Sequence, residues 1–307
     1  MSLSIKTMEW SVQKKLTGHR GAIYKLMYDP WRQKILSAGG DGFIVAWDPN
    51  GSPDGQLLAR DSDHILTMAS GINGKIYAGT LQGNLLRIDE KVQQARKIPH
   101  HTKGIYALIT VNHGLISAGA DGRVTFWDSD TLLPSESLQL SQKNIRSLII
   151  HAEENLLVAG AGDGSISIIH LVERTVLHRI DTAHERTVFS LAFSLDGKFL
   201  ISGGMDAQIR IWDVMTWYCI QTIPAHWYTV NDIAVHPIHP VFASASRDRS
   251  IKIWDSQHFQ LLKVLDRSRY DAHSHSANTL LWSEDGKVLY SGSDDRSIRV
   301  WEVDSFE

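Results

Sequence analysis

A single cysteine, Cys219, in 307 residues excludes an internal disulfide, and a one-thiol chain of this size fits a reducing compartment. A cytoplasmic location is therefore expected. No apolar segment reaches the roughly 18 residues that a membrane-spanning helix needs, and the opening MSLSIKTMEW holds no apolar run of signal-peptide length. Neither export nor membrane contact is expected. Basic excess is missing as well: 31 Lys and Arg stand against 34 Asp and Glu, for a formal charge of −3, so direct nucleic-acid binding is not expected. Helical periodicity is also lacking, since no window of a dozen residues keeps a 3.6-residue apolar period without a Gly, Pro or Asn-Gly break.

What the chain does contain is enough apolar material for a core, 43% hydrophobic against 21% charged, arranged in a repeat. Short alternating segments, FIVAWD, LLRID, VTFWD, SIIH, IRIWD, IKIWD and IRVWE, put a Trp or Ile at positions 47, 88, 127, 169, 212, 254 and 301, spaced 39 to 47 residues apart. Six residues before each lies a turn residue, Asp41, Gln82, Asp121, Asp163, Asp206, Asp248 or Asp295, usually beside glycine or another small or polar residue. That is a hairpin signal. In five units a histidine precedes the turn by 20 to 22 residues: His19, His101, His184, His226 and His273. Two apolar stretches, such as VFSLAF and KFLISGG, separate histidine from turn, and another follows the Trp. Each unit reads as four short strands, and the fold class as all-β. A four-stranded unit of this size cannot bury both faces alone, so neighbours must stack, and closing them in a ring removes the exposed ends.

These residues closely resemble the WD40-repeat family in their His-to-Trp-Asp signature and their period, over nearly the whole chain from Trp10 to Val303. The resemblance implies a seven-bladed β-propeller, expected as one domain over 1–307, in which Trp10 to Leu16 forms the outer strand of the last blade. It also implies a hydrogen-bonded foursome in each blade. The loop His bonds the turn Asp and a second-strand Ser, and that Ser bonds the indole N–H of the third-strand Trp. The sets are His19, Ser37, Asp41 and Trp47; His101, Ser117, Asp121 and Trp127; His184, Ser202, Asp206 and Trp212; His226, Ser244, Asp248 and Trp254; and His273, Ser291, Asp295 and Trp301. A His, an Asp and a Ser also spell a hydrolytic triad, but five copies tied to tryptophans read as satisfied polar chains that stabilise blades. The second and fourth units have Asp61, Ala78, Gln82 and Ile88, and Ser141, Ala159, Asp163 and Ile169, in these places. Either apolar packing substitutes there, or those blades have loosened because their loops serve a partner. His100 with His101, His273 with His275, and His236 with His239 lack further ligands at a structural-zinc spacing. No metal, cofactor or catalytic residue is expected.

The resemblance places function on the rim that carries the His loops and Asp turns, with three residues per blade. They are Ala22, Tyr24 and Gly40; His64, Leu66 and Leu81; Gly104, Tyr106 and Ala120; Asn144, Arg146 and Gly162; Thr187, Phe189 and Met205; Thr229, Asn231 and Arg247; and Ser276, Asn278 and Asp294. Large apolar and aromatic groups interrupted by Arg146 and Arg247 have the composition of interface anchors; the alternative is that some rings turn inward to fill the channel mouth. Trp227 and Tyr228 add aromatics on the sixth His loop. A longer loop before His273 brings Arg267, Arg269 and Tyr270 to the same rim, as a clamp for an acidic partner or as a tolerated insertion. On the opposite rim, Trp31 and Trp217 with Tyr218 offer a second surface or pack between blades.

The expected function is a non-enzymatic scaffold, a monomeric propeller within a complex, that binds a protein or peptide. One rival is a small-molecule or enzymatic site in the central channel, for which the rim offers only His64, Arg146, Arg247 and Asp294 as ionisable groups. Another is a subunit of a nucleic-acid-associated complex that reaches nucleic acid through a partner.

Overall fold

The computed structural model describes residues 9–88, 96–111 and 114–303; Asp89, which ends the second repeated segment, lies outside them. The alternating segments become strands of seven antiparallel four-stranded sheets. In each sheet the strand after the His loop is innermost, and succeeding strands lie progressively further out. The innermost strands are Ile23–Asp29, Ile65–Ser70, Ile105–Val111, Ile145–His151, Val188–Phe193, Val230–Val235 and Ala277–Trp282. Each touches the next around the ring, and the last touches the first, so the circle is complete. Among the described residues no helix is long and apolar enough to cross a membrane.

Apolar clusters fill the contacts between blades, and each signature Trp faces the preceding blade. Trp47 lies with Tyr290 and Ile298 of the seventh blade, and Trp301 lies with Val241 and Ile253 of the sixth. Where the Trp is missing, Ile88 and Ile169 enter the corresponding clusters beside Ala78 and Ala159. Apolar packing therefore substitutes in the second and fourth blades.

At the hairpin after each turn residue the chain must take a left-handed conformation. Gly42 does so at φ +74°, where a Cβ would sit 2.1 Å from the Asp61 carbonyl oxygen. Blades five to seven place Ala207, Arg249 and Arg296 there, at φ 64°, 76° and 66°, which costs about 1 kcal/mol for each.

Closure comes from Trp10–Thr17, one residue longer than expected, pairing antiparallel with Ser297–Val303, with Trp10 opposite Val303 and Thr17 opposite Ser297. Trp10 is buried, with its ring centroid 5.9 Å from that of Trp282. Its indole N–H is enclosed without a hydrogen-bond partner, so Trp10 contributes through packing. Trp10→Ala is expected to lower the unfolding free energy by about 3 kcal/mol, and Trp10→Phe by much less, in urea denaturation. Equal losses would show that the indole nitrogen matters more than the buried ring.

Candidate functional site: the mouth of the channel

All five expected foursomes form. The His Nδ1 to Asp distances are 2.9 to 3.0 Å, and Nε2 to Ser Oγ distances are 2.7 to 2.8 Å. The Trp Nε1–H donates to the same Ser Oγ at 2.8 to 2.9 Å. With the proton on Nδ1, His donates to Asp and accepts from Ser, so the His nitrogens, the Ser hydroxyl and the Trp N–H of each foursome are all satisfied. Ser37, Ser117, Ser202, Ser244 and Ser291 are fully buried. A substrate cannot reach them, which removes the hydrolytic alternative for these sets.

The two degenerate blades keep fragments of the arrangement. In blade four, Ser141 Oγ–H donates to Asp163 at 2.7 Å, and Arg179 pairs with Asp163 at 3.2 Å. In blade two the direction reverses: Asp63, two residues beyond the expected position, accepts the backbone N–H of Gln82 at 2.7 Å. Sequence reading missed Asp63 because the loop path, and not the repeat spacing, brings it there.

Several remaining histidines fasten the opposite rim. His151 ends an inner strand and His236 directly follows one, and each bonds the carbonyl of a turn glycine in the next blade, Gly197 or Gly286, at 3.0 Å. His236 Nδ1 also accepts the N–H groups of Ile238 and His239, at 3.0 and 2.9 Å. The His236 and His239 pair thus belongs to a turn, and among the described residues no group of three or more His, Cys, Asp or Glu gathers to hold a metal.

The mouth itself is built by a repeated backbone defect. Every innermost strand slips register at one residue: Tyr24, Leu66, Tyr106, Arg146, Phe189, Asn231 or Asn278. A β-bulge leaves that residue unpaired and re-aims its side chain. All of them are half-buried and line one cavity of about 620 Å³. The other two rim residues of each blade are joined directly. Gly40, Leu81, Ala120, Gly162, Met205, Arg247 and Asp294 each donate a backbone N–H to the carbonyl of Ala22, His64, Gly104, Asn144, Thr187, Thr229 or Ser276, at 2.7 to 3.1 Å.

Eleven of the seventeen candidate contact residues line the cavity: Tyr24, Leu66, Leu81, Tyr106, Arg146, Phe189, Met205, Asn231, Arg247, Asn278 and Asp294. Six do not. His64, Arg267 and Arg269 are exposed outside it, and Trp227 and Tyr228 project from their loop with 86% and 60% of their surface free. Tyr270 turns inward onto Trp301, with ring centroids 6.1 Å apart, so it does not converge with Arg267 and Arg269 on the mouth. On the far rim Trp31 and Tyr218 are exposed, whereas Trp217 packs into the core between blades four and five.

Sequence reading passed over the layer beneath the bulges, Lys25, Thr67, Ala107, Ser147, Ser190, Asp232 and Thr279. A signal was present: the second residue after the first apolar residue of the inner strand is polar in all of these but Ala107. These side chains stitch blades together. Thr279 Oγ1 accepts Leu26 N–H at 3.2 Å, and Ser190 Oγ accepts Ile233 N–H at 2.8 Å. Asp232 accepts Leu280 N–H at 2.8 Å and the Ser190 hydroxyl at 3.3 Å. Burial pushes its carboxyl up, while Lys25 and these donors oppose the shift.

Around the mouth two different arcs face each other. On blades six, seven and one the amides are fixed: Asn231 Nδ2–H donates to Ser276 Oγ and Ala277 O at 2.9 and 2.8 Å, and Asn278 Nδ2–H donates to Asp294 and Ile23 O at 2.7 and 3.0 Å. Burial, and then Asp294, raise the Tyr24 phenol. On blades three to five the Arg146 guanidinium lies over the Tyr106 and Phe189 rings, 4.0 and 4.6 Å from their centroids.

Seven sheets ringed around a recessed mouth with variable lining define a propeller in which the hydrogen-bonded foursomes and the bulged residues of the mouth are separate positions. The WD40 family profile, WD domain, G-beta repeat, matches residues 10–48, 92–128, 175–213, 217–255 and 265–302, well over half of the chain, and the chain belongs to that family. The unmatched stretches hold the inner three strands of blades two and four, which lack the His and the Trp. Human striatin-4 is 25% identical over 249 residues, covering 78% of this chain and 28% of that protein. Protein HIR1 of Gibberella zeae is 28% identical over 167 residues, 46% of this chain and 16% of its own. Cilia- and flagella-associated protein 52 of Chlamydomonas reinhardtii is 28% identical over 147 residues, 48% of this chain and 24% of its own. The chain spans less than a third of the length of these relatives.

The polar framework makes stability depend on pH. Burial depresses His184 and His226, against the pull of Asp206 and Asp248, and depresses His236 to about 4. Burial would raise Asp41, but the bond from His19 and backbone N–H groups hold it at about 2. In each case the unfolded chain takes up the proton first, so stability falls on acidification. A decline in melting temperature is expected from about pH 6.5 to 4 through the imidazoles, and a further one from about 4 to 2 through the carboxylates. His184→Ala should cost about 2 kcal/mol at pH 7 by stranding Ser202 and Asp206, and its decline between pH 6.5 and 4 should be shallower. A flat wild-type profile from pH 7 to 4 would contradict this account.

Proposed function

We propose that this propeller is a non-enzymatic scaffold that captures a segment of a partner protein in the mouth, working as a single ring within a larger cytoplasmic assembly. The observation that carries the reading is the convergence of all the bulged residues on one cavity of about 620 Å³. That volume lies in the range of about 300 to 1,000 Å³ typical of binding clefts. Leu81 and Met205 stand partly free at its edge, 43% and 40% exposed, with Arg247 also exposed beside them. Apolar, aromatic and Arg side chains on a concave, preorganised surface supply anchors at low ordering cost. Against catalysis, the repeated His and Ser are buried and bonded to each other, the repeated Asp are half-buried and bonded to the His, and Asp232 is committed to its three donors. Membership of the WD40 family supports a binding role.

Affinity purification tests the reading with wild-type protein, Tyr106→Ala/Phe189→Ala, and Leu81→Glu/Met205→Glu. The second pair changes exposed side chains and should leave the melting temperature within a few degrees. Partners bound at the mouth should drop about tenfold or more with both double variants. Recovery of the same partners in the same amounts would show that the mouth is not the contact surface.

A further inference from the structure

We propose that the captured segment presents an anionic side chain, a carboxylate or a phosphate monoester, that docks on Arg146. The proposal rests on the mouth being the partner site, and it names the chemistry that the site reads. Arg146 is the bulged residue of blade four, flanked by the bulged Tyr106 and Phe189 of blades three and five. Its guanidinium lies over both rings. A guanidinium carries five N–H donors in its own plane, so beyond its contact with Tyr106 it keeps donors that can meet two oxygens at once.

Among the described residues the chain supplies no carboxylate to meet those donors. Three other enclosed arginines are paired: Arg32 with Asp29, Arg210 with Asp206 and Arg299 with Asp271. Among the described residues no carboxylate pairs with Arg146; burial disfavours its charge, and Tyr106 opposes that effect. The two carboxylates of the cavity are occupied, Asp294 by Asn278 and Asp232 by its own donors. Arg247 and Lys25 add further cations to the same cavity.

A half-buried cation without a counter-ion is an unfavourable arrangement that ring contacts offset only in part. An anion arriving from outside would complete it. A partner's Lys or Arg, by contrast, would meet a cation already seated on the two rings.

The test uses the full chain and immobilised peptide pools with degenerate flanks and a fixed central Glu, phosphoserine, Gln or Lys. Retention on the Glu or phosphoserine pool should exceed that on the Gln and Lys pools about tenfold, and the stronger of the two acidic pools identifies the oxyanion. Arg146→Met should bring the acidic pools down to the Gln level. Arg146→Lys, which keeps the charge but not the fork, should recover only part of the preference; melting curves confirm that both variants fold. Equal or greater retention on Gln or Lys, or an acidic preference that survives Arg146→Met, would overturn the proposal. If the neutral pools bind and Leu81→Glu/Met205→Glu releases them, the mouth stands as the partner site and the anion preference alone fails. Retention on no pool would refute both.

Discussion

No blade of this protein can cover its own faces, and everything else follows from that constraint. The middle strands are buried on both sides, as in Lys34–Gly39, where every residue after the first is enclosed. In five of the blades the signature Trp is pressed into the gap, and it carries an N–H that cannot be left dry without cost. The Ser accepts that N–H, the His binds the Ser, and the Asp fixes the His. In blades two and four the Trp becomes Ile88 or Ile169, the Ser becomes Ala78 or Ala159, and the His becomes Asp61 or Ser141. The members change together because each answers a demand made by the one before.

The mouth exploits a different liberty. A bulge in each inner strand releases one residue from the ladder while the paired residues beside it hold the sheet. The framework therefore does not dictate which side chain occupies the bulge, and the series Tyr24, Leu66, Tyr106, Arg146, Phe189, Asn231 and Asn278 varies freely in charge and shape. Beneath it the next residue returns to structural duty, linking blades through Ser190, Asp232 and Thr279.

Much of this was legible in the sequence, because strand alternation, turn chemistry and the His-to-Trp spacing are periodic and the blade is a fixed-length unit. The rim triples could be assigned by counting, and the first and third members of each are hydrogen bonded. What counting could not show depends on three-dimensional neighbours. Arg146 meets Tyr106 and Phe189 only because three blades bring their bulges together. Tyr270 leaves its loop for Trp301, and Asp63 does work expected further back in the chain, because loop conformation is not periodic. Asp232 looked like an ordinary strand residue, although its carboxylate bridges blades five, six and seven.

The clasp of Trp10–Thr17 on Ser297–Val303 has a consequence for how the protein is made. Every other strand pairs with a neighbour close in the chain, so six blades need only local encounters. The seventh requires a loop closure across almost the entire described sequence, the kind of contact that comes late and slows folding. Until it is made, the surface around Trp282 and Trp301 stays open and the last inter-blade seams lack their outer cover. Folding of this ring is therefore a race between closure and aggregation, decided by how quickly one early strand finds its place beside a late one.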